Sequence, residues 1–198
     1  VEILRETLRG FKNVEIIQKD ILKIHDSRFM IHESYKMVSN LPYSIATEVI
    51  RKFIESTNPP KLMVVMVQKE VGKRICSKPP KMERLAVLIR ALANVKILDT
   101  VKKSSFWPQP KVDSVILRIT PLIYTDEKLI DADKDLFKKI VKAGFSHPRK
   151  QLAKNLSGEL NFTRQKVKDW LFQNNIQASQ RAQTLSLNDW LALAKTFK

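Results

Sequence analysis

Short apolar runs alternate with helical segments over the first two thirds of the chain, and this alternation is the feature that most constrains the fold. The spacing predicts helices at residues 2–10 and in ATEVIRKFIES, KEVGKRI and ERLAVLIRALA. A strand is predicted from Val14 to Ile17, in a segment that ends at Asp20. Further strands are predicted in YKMVSN, KLMVVMVQ, NVKILDTV and DSVILRITP. KLMVVMVQ is nearly all apolar, which predicts a strand buried on both faces. The pattern therefore predicts an α/β fold, a sheet layered between helices.

The sequence pattern changes after Pro121, where strand signals stop. Helical periodicity marks the segments DKDLFKKIVKAGF, TRQKVKDWLFQNN and SLNDWLALAKTF. The last of these opens with Ser186 and has Asp189 three residues on, an N-cap arrangement. We therefore expect a boundary near residues 121–132, with an α/β domain at 1–124 and a small all-helical domain at 125–198.

Composition excludes several classes of protein. The 198 residues are 43% hydrophobic, enough for a real core, and no apolar run approaches a membrane helix of about 20 residues. The first residues are charged and indicate a helix, not a signal peptide. A single cysteine, Cys76, excludes an internal disulfide and a cysteine-built zinc site, so we expect a reducing, cytoplasmic location.

Histidine spacing gives no reason to expect a metal. His25, His32 and His147 form no metal-ligand pattern, and we expect all three at the surface. The sequence therefore predicts a protein without a metal centre.

The charge balance points to a polyanionic partner. Lys and Arg number 36 against 20 Asp and Glu, a formal net charge of +16, far more than solubility requires. Nucleic acid is the commonest partner of such a protein. The stretch from Lys138 to Lys154 holds six basic residues and no acid. A basic protein without such a partner stays open, as does a solvated helix face for Lys138, Lys139 and Lys142.

The tetrapeptide Asn40-Leu41-Pro42-Tyr43 follows a short strand and precedes a helix. An asparagine side chain offers one acceptor and two donors, proline fixes a turn without adding a donor, and tyrosine offers a flat face. These groups suit an amino group carried on an aromatic ring. From position alone, an ordinary turn and such a binding site are both possible.

The stretch SNLPYSIATEVI resembles the fourth motif of amino-directed adenine methyltransferases. With VMVQKEVGKRI, FWPQPKVDSVILRI and LFKKIVKAGFSHPRKQLAKNL, the chain resembles the ribosomal RNA adenine N6,N6-dimethyltransferase family over its whole length. Its nearest branch is the bacterial small-subunit dimethylase, which uses S-adenosylmethionine to modify two adjacent adenines in a hairpin loop near the 3′ end of the 16S RNA. The resemblance implies a Rossmann-like class I methyltransferase sheet, incomplete at the N-terminus, followed by a helical RNA-binding domain.

The resemblance also assigns a target-base pocket. The adenine N6 would donate to the Asn40 side chain and to the Leu41 or Pro42 carbonyl. Tyr43 and Phe106 would sandwich the everted ring. Trp107, beside Phe106, is expected to pack or to anchor its loop.

The cofactor residues are likewise implied by the family. Asp20 would accept a hydrogen bond from the adenine amino group of S-adenosylmethionine, and Ile21 would pack on that ring. Asn40 would line the methionine end of the same pocket.

The expected partner is small-subunit rRNA or an immature 30S subunit, bound by a monomer without any membrane. Lys102, Lys103 and Lys111 flank Phe106 and are predicted to contact RNA. Arg149 and Lys150 follow FSHP, where the family has an Arg-Arg-Lys run. A role in small-subunit biogenesis accompanies this activity in the family.

The sequence departs from the family pattern in two places. It has four glycines, none of which forms a Gly-x-Gly turn after a first strand, so we expect the chain to begin inside the domain and to bind S-adenosylmethionine weakly or not at all. Ala86 also replaces the serine of the family's Gly-Arg-Leu-Ser pattern. Two alternatives stay open: a macrolide-resistance methylase of 23S RNA, which usually carries Ile at the position of Leu41, and a non-catalytic ribosome-assembly factor.

Overall fold

A computed structural model describes residues 1–24, 34–124 and 133–197. Short 3₁₀ turns occur at Lys103–Ser105, Leu122–Tyr124 and Ala182–Thr184. The other elements, in chain order, are α1 (Glu2–Thr7), β1 (Lys36–Asn40), α2 (Ala46–Ile54), β2 (Leu62–Gln68), α3 (Lys69–Ile75), α4 (Arg84–Arg90), β3 (Ala93–Val101), β4 (Ser114–Pro121), α5 (Lys134–Gly144), α6 (Leu152–Leu160), α7 (Arg164–Gln173) and α8 (Leu187–Lys195).

The four strands form one mixed sheet in the order β1-β2-β4-β3. β1 runs parallel to β2, and Asn40 pairs with Met66. β4 runs antiparallel to β2 and β3, with its first residue, Ser114, opposite Gln68 and Val101. The C-terminal ends of β1 and β2 and the N-terminal start of β4 therefore lie at the same end of the sheet. The predicted α/β sheet and its strands in YKMVSN, KLMVVMVQ, NVKILDTV and DSVILRITP are confirmed.

In the described residues, the core of the sheet lies on one face. Met63, Val65 and Val67 of β2 are fully buried among side chains of α2, α3 and α4. The intervening β2 residues are half-buried, and Val38 on the neighbouring strand is 82% exposed. The prediction that β2 is buried on both faces is therefore wrong. Within the described ranges, helices cover only the side that Val65 faces.

The predicted strand from Val14 to Ile17 is also wrong. These residues have no regular structure, and Val14 and Ile17 are 42% and 39% exposed. A strand needs a neighbour that accepts its ladder hydrogen bonds, and no described segment supplies one. An apolar run alone does not provide that partner.

The turn at residues 20–24 is held by a lysine of α2. The Lys52 ammonium donates to the carbonyls of Ile21, Leu22 and Ile24 at 3.2, 2.6 and 2.9 Å. An ammonium has three donors, and this turn uses all of them. Ile21 and Leu22 pack against the core of the sheet, so the turn is fixed at two points.

The helices after residue 133 enclose a second core. Trp190 is fully buried at its centre and stacks on Phe145 with ring centroids 5.3 Å apart. The Ser186 hydroxyl accepts from the Asp189 N–H at 3.2 Å, and Asp189 accepts in return from the Ser186 N–H at 2.7 Å. The predicted N-cap of α8 is confirmed. Helix α6 was not predicted.

Helix α4 contributes to both cores. Ala86 and Val87 pack with the C-terminal helices, whereas Ile89 packs with the sheet. A surface ion pair adds a second link, because Lys138 of α5 lies 2.9 Å from a Glu55 carboxylate oxygen at the end of α2. Burial acts to raise the pKa of Glu55, but the Lys138 hydrogen bond and the Arg51 charge together lower it.

The described helices include none that is both long and apolar enough to cross a membrane.

The same substitution is expected to have opposite effects at two glycines, Gly144 at the end of α5 and Gly158 inside α6. A Cβ on Gly144 would collide with the Trp190 ring and press on Leu152, whereas a Cβ on Gly158 meets nothing within 4 Å. Gly144→Ala should lower the free energy of unfolding by about 1–3 kcal/mol through overpacking. Gly158→Ala, inside α6, should raise it by about 0.5–1 kcal/mol. Urea unfolding of both variants measures this, and equal shifts would contradict the packing assigned to Trp190.

Candidate active site

The candidate site begins where β1 ends. Asn40 closes the strand and is exposed, and the next side chain, Leu41, is 3% exposed and fixed in the core. Pro42 fixes its own φ and favours extended backbone before it, which ends the strand. The Pro42 carbonyl accepts from the Ile45 N–H at 3.2 Å, and α2 starts at the following residue. The local sequence therefore dictates a tight strand–turn–helix junction.

A single open cavity of about 360 Å³ joins this turn to the loop before β4. The structure brings together all five residues predicted to hold the target base. Its lining is Asn40, Leu41, Pro42, Tyr43, Phe106, Trp107, Pro108 and Pro110. Tyr43 and Phe106 are both half-buried, which leaves part of each ring accessible from the cavity.

The far end of Tyr43 is fixed by a buried serine. The Tyr43 hydroxyl lies 2.7 Å from the Ser114 hydroxyl, either of which donates. Ser114 is 0% exposed and is the first residue of β4. This bond joins residues 71 positions apart in the chain and sets the orientation of the tyrosine ring.

The Phe106 loop is fixed by Asp113. One carboxylate oxygen accepts from the Lys69 ammonium at 3.0 Å, and the other accepts from the Lys103 backbone N–H at 3.1 Å. The hydrogen bond from Lys69 is the main reason that the pKa of Asp113 is lowered, and the bond from Lys103 adds to it. The carboxylate therefore stays charged at neutral pH and connects both ends of the loop to the start of α3.

The Asn40 amide is available to a ligand. No described residue hydrogen-bonds to this side chain, although it is one of the residues that line the cavity. An unpaired amide at the surface of a cavity offers one acceptor and two donors to whatever binds there.

The residues predicted to hold the cofactor do not all line this cavity. Of the three, only Asn40 does. Asp20 is exposed, and one of its oxygens accepts from the Leu22 N–H at 2.9 Å. Its other oxygen and the half-buried side chain of Ile21 suit an amino group on a flat ring. The residues present therefore fit the adenine end of S-adenosylmethionine and, through Asn40, a polar end.

The predicted RNA-binding residues lie on two separate loops. Lys102, Lys103 and Lys111 are exposed on the loop that carries Phe106. Arg149 and Lys150 are exposed on the turn between α5 and α6, where the Asn155 amide donates to the Gly144 carbonyl at 2.7 Å and to the His147 carbonyl at 3.0 Å.

Several important groups were missed by sequence reasoning. Asp113 and Ser114 lie in PKVDS, within a quoted motif, but nothing local reveals that their partners are Lys69 and Tyr43. Trp107 was expected to pack or to anchor its loop, and this is wrong because its side chain is 97% exposed. Prolines at 108 and 110, not the indole, stiffen that part of the loop.

Of the three histidines, His147 lies within the described residues. His147 is exposed, with Nδ1 3.2 Å from the Ser146 hydroxyl. His25 and His32 lie outside the described residues. In the part of the chain that is described, no group of three or more His, Cys, Asp or Glu side chains is placed to hold a metal ion.

The family model and the curated relatives that match this chain are both named for ribosomal RNA methylation. The family model described as ribosomal RNA adenine dimethylase matches residues 1–198. Proteins named "Ribosomal RNA small subunit methyltransferase A" from Alkaliphilus oremlandii and Dehalococcoides mccartyi (strain ATCC BAA-2266) are 36% and 35% identical, over 98% and 100% of this chain. The chain spans 69% and 67% of those two proteins.

Solved structures share the fold. A dimethyladenosine transferase from Plasmodium falciparum superposes with a TM-score of 0.75 at 25% identity, over 98% of this chain and 75% of that one. The 23S rRNA methyltransferase ErmE gives 0.74 at 22% identity, over 98% of this chain and 76% of that one, which is a likeness of fold alone. With the family model matched end to end, the chain belongs to the ribosomal RNA adenine dimethylase family.

Proposed function

We propose that this chain is the part of a small-subunit rRNA adenine dimethyltransferase that receives the target base. The reaction is dimethylation of N6 on two adjacent adenines in the 3′-terminal hairpin loop of 16S rRNA, with a role in small-subunit biogenesis. The observation that carries the proposal is the cavity in which the Asn40 amide and the rings of Tyr43 and Phe106 meet. The curated relatives named for the small-subunit activity support the choice of RNA.

The chemistry needs placement more than a strong base. The N6 lone pair of adenine is delocalised into its ring, so N6 is a weak nucleophile until hydrogen bonds draw its two N–H groups out of that plane. The Asn40 side-chain oxygen would accept one of them. The Leu41 or Pro42 carbonyl would accept the other, since the Pro42 oxygen keeps a second lone pair beside the one that accepts from Ile45. Both acceptors would also stabilise the positive charge that grows on N6.

The aromatic walls would hold the base in place. An adenine in a hairpin loop must leave its neighbours to reach the cavity, and stacking on Tyr43 and Phe106 would replace the interactions with those neighbours. Each base–aromatic stack is worth roughly 1–3 kcal/mol. Because Ser114 and Asp113 fix the two walls, little ordering is left for the moment of binding.

S-adenosylmethionine would supply an activated methyl group on its sulfonium. Asp20 would accept from the cofactor's adenine amino group through its second carboxylate oxygen, Ile21 would lie against that ring, and Asn40 would line the methionine end. The absence of a Gly-x-Gly turn supports the expectation that this chain by itself binds the cofactor weakly or not at all.

The two hydrophobic cores would correspond to two different roles, catalysis and RNA binding. Residues 1–124 would form the catalytic part and residues 125–198 the helical RNA-binding part. Lys102, Lys103 and Lys111 would contact phosphates at the cavity, and Arg149 and Lys150 would do so from the helical part. The protein would act on immature 30S subunits as a cytoplasmic monomer. The likeness to a 23S rRNA methylase concerns the fold only and does not favour that substrate.

Asn40→Ala in the complete gene product should lower the rate of methyl transfer by about 10²–10³-fold, since it removes a polar group aimed at developing charge. The assay is tritiated methyl incorporation into small subunits from a strain that lacks the mark. Asn188→Ala changes an exposed asparagine on α8 and serves as the control. If the complete and folded wild-type enzyme leaves the RNA unlabelled, the proposed function is wrong; if Asn40→Ala is as active as Asn188→Ala, the role of Asn40 is wrong.

The Tyr43 wall predicts a graded series. Tyr43→Phe keeps the ring but removes the bond to Ser114, worth about 0.5–1.5 kcal/mol, so KM for RNA should rise about 2- to 10-fold. Tyr43→Ala also removes a stack of roughly 1–3 kcal/mol and should be clearly worse. Steady-state kinetics on the same subunits distinguishes them. Equal effects in the two variants would contradict a stacking role for the ring.

Arg149 and Lys150 predict a change in salt dependence. The double variant Arg149→Ala/Lys150→Ala should make the slope of log binding constant against log salt concentration shallower, by about 0.7–0.9 for each phosphate that is no longer neutralised. Lys195→Ala, an exposed lysine at the end of α8, is the control and should leave the slope unchanged. Filter binding of the hairpin RNA between low and moderate salt measures this. An unchanged slope in the double variant excludes phosphate binding by this turn.

A further inference from the structure

Trp107 is the most exposed of the chain's three tryptophans. Its side chain is 97% exposed, whereas Trp170 and Trp190 are 7% and 0% exposed. Exposure alone does not identify a binding site, because single apolar side chains are often exposed and Phe172 is 82% exposed as well. Trp107 differs in its position, because it lines the cavity of the candidate active site.

The backbone separates Trp107 from its neighbour Phe106. Phe106 is extended, with φ −120° and ψ 148°, so consecutive side chains point to opposite sides. Phe106 is half-buried within the cavity wall, and Trp107 therefore projects at the rim. One loop thus presents two aromatic faces to the cavity, a half-buried one at Phe106 and an exposed one at Trp107.

The backbone of the loop that carries Trp107 is restrained at several points. Asp113 holds the start of the loop through the Lys103 N–H at 3.1 Å, and Pro108 and Pro110 have restricted φ. A restrained backbone leaves mainly the rotation of the indole side chain to be ordered on binding, which favours affinity.

The charge around Trp107 selects the partner. Residues 102–113 contain three lysines, all exposed, and one acid, Asp113, whose carboxylate is paired with Lys69. The surroundings of the indole are therefore cationic. A partner that combines negative charge with flat rings is nucleic acid with unstacked bases. A protein partner would need acidic groups placed around an apolar pocket, a more demanding requirement.

We propose that Trp107 forms a second nucleotide subsite, which stacks on the base next to the target adenine. The inference rests on the proposed function, because turning one adenine into the cavity leaves its neighbour without a stacking partner at the rim. Stacking is tolerant of base identity, so this subsite adds affinity and position without reading sequence. Adjacent target adenines would use the two subsites in turn.

Intrinsic fluorescence tests this with the chain itself, with no cofactor or turnover required. Because the other two indoles are buried, acrylamide should quench Trp107 selectively. A short RNA hairpin with an adenine-containing unpaired loop should quench the exposed component and protect it from acrylamide. A fully paired duplex of the same stem should do neither.

Matched variants give the affinity. Trp107→Ala should bind the looped hairpin roughly 5- to 150-fold more weakly, the effect of removing one stack, and bind the duplex as before. Trp107→Phe should keep most of the affinity. Phe172→Ala, which changes an 82% exposed aromatic ring on α7, is the control and should change neither.

Two results would overturn the subsite. One is hairpin affinity unchanged in Trp107→Ala, which would assign the indole to some other role, such as binding a protein. The other is an equal loss of affinity for hairpin and duplex, which would show a change in general electrostatic binding. Either result leaves the proposed function standing if methyl transfer still depends on Asn40, so the two failures are distinguishable.

Discussion

The carboxylate of Asp113 is the group on which the rest of the site depends. It accepts from the Lys69 side chain and the Lys103 backbone, and the Asp113 backbone carbonyl accepts from the Lys69 N–H at 2.9 Å. The next residue, Ser114, bonds to Tyr43. Two consecutive residues therefore connect the β2–α3 junction, the Phe106 loop and the turn after β1. The aromatic walls are positioned by the protein and not by a ligand.

This arrangement has a defined pH dependence. The pKa of Asp113 is lowered in the folded protein, first by the Lys69 hydrogen bond, so its contribution to stability is fully present above the carboxyl's ordinary pKa. That contribution disappears only as pH falls through the lowered value. The loop consequently keeps its attachment across the neutral range.

The sequence predicted what depends on local periodicity and failed where distant partners decide. Four strands, the helices that cover them and the Ser186 cap were predictable, because strand and helix patterns and caps are local. The strand at Val14–Ile17 failed because a strand exists only with a ladder partner. Helix α6 was missed because Ser157-Gly158 weakens its helical signal.

In the candidate site, too, the arrangement of neighbouring residues was predictable and the pairing of distant residues was not. The motif placed Asn40 and Tyr43 at a strand end, where their proximity follows from adjacency. The Tyr43–Ser114 bond crosses 71 positions, and the three hydrogen bonds of Lys52 join a helix to a turn about 30 residues earlier. Such pairs have no signal in a single sequence. Nor does the exposure of Trp107, because a tryptophan beside two prolines is compatible with a packed loop or a projecting ring.

Helix α4 packs into both hydrophobic cores and so connects the two halves of the protein. One of its faces belongs to the sheet core and the other to the core around Trp190, and the Met82 N–H just before it donates to the Gln183 carbonyl at 2.9 Å. A helix buried on both sides does not allow one core to slide without disturbing the other, since packed interiors resist small displacements. The turn bearing Arg149 is thus held at a fixed position relative to the cavity. An RNA that touched both would have its register set by the fold, so the phosphate contacts proposed for Arg149 and Lys150 would also decide which adenine reaches Asn40.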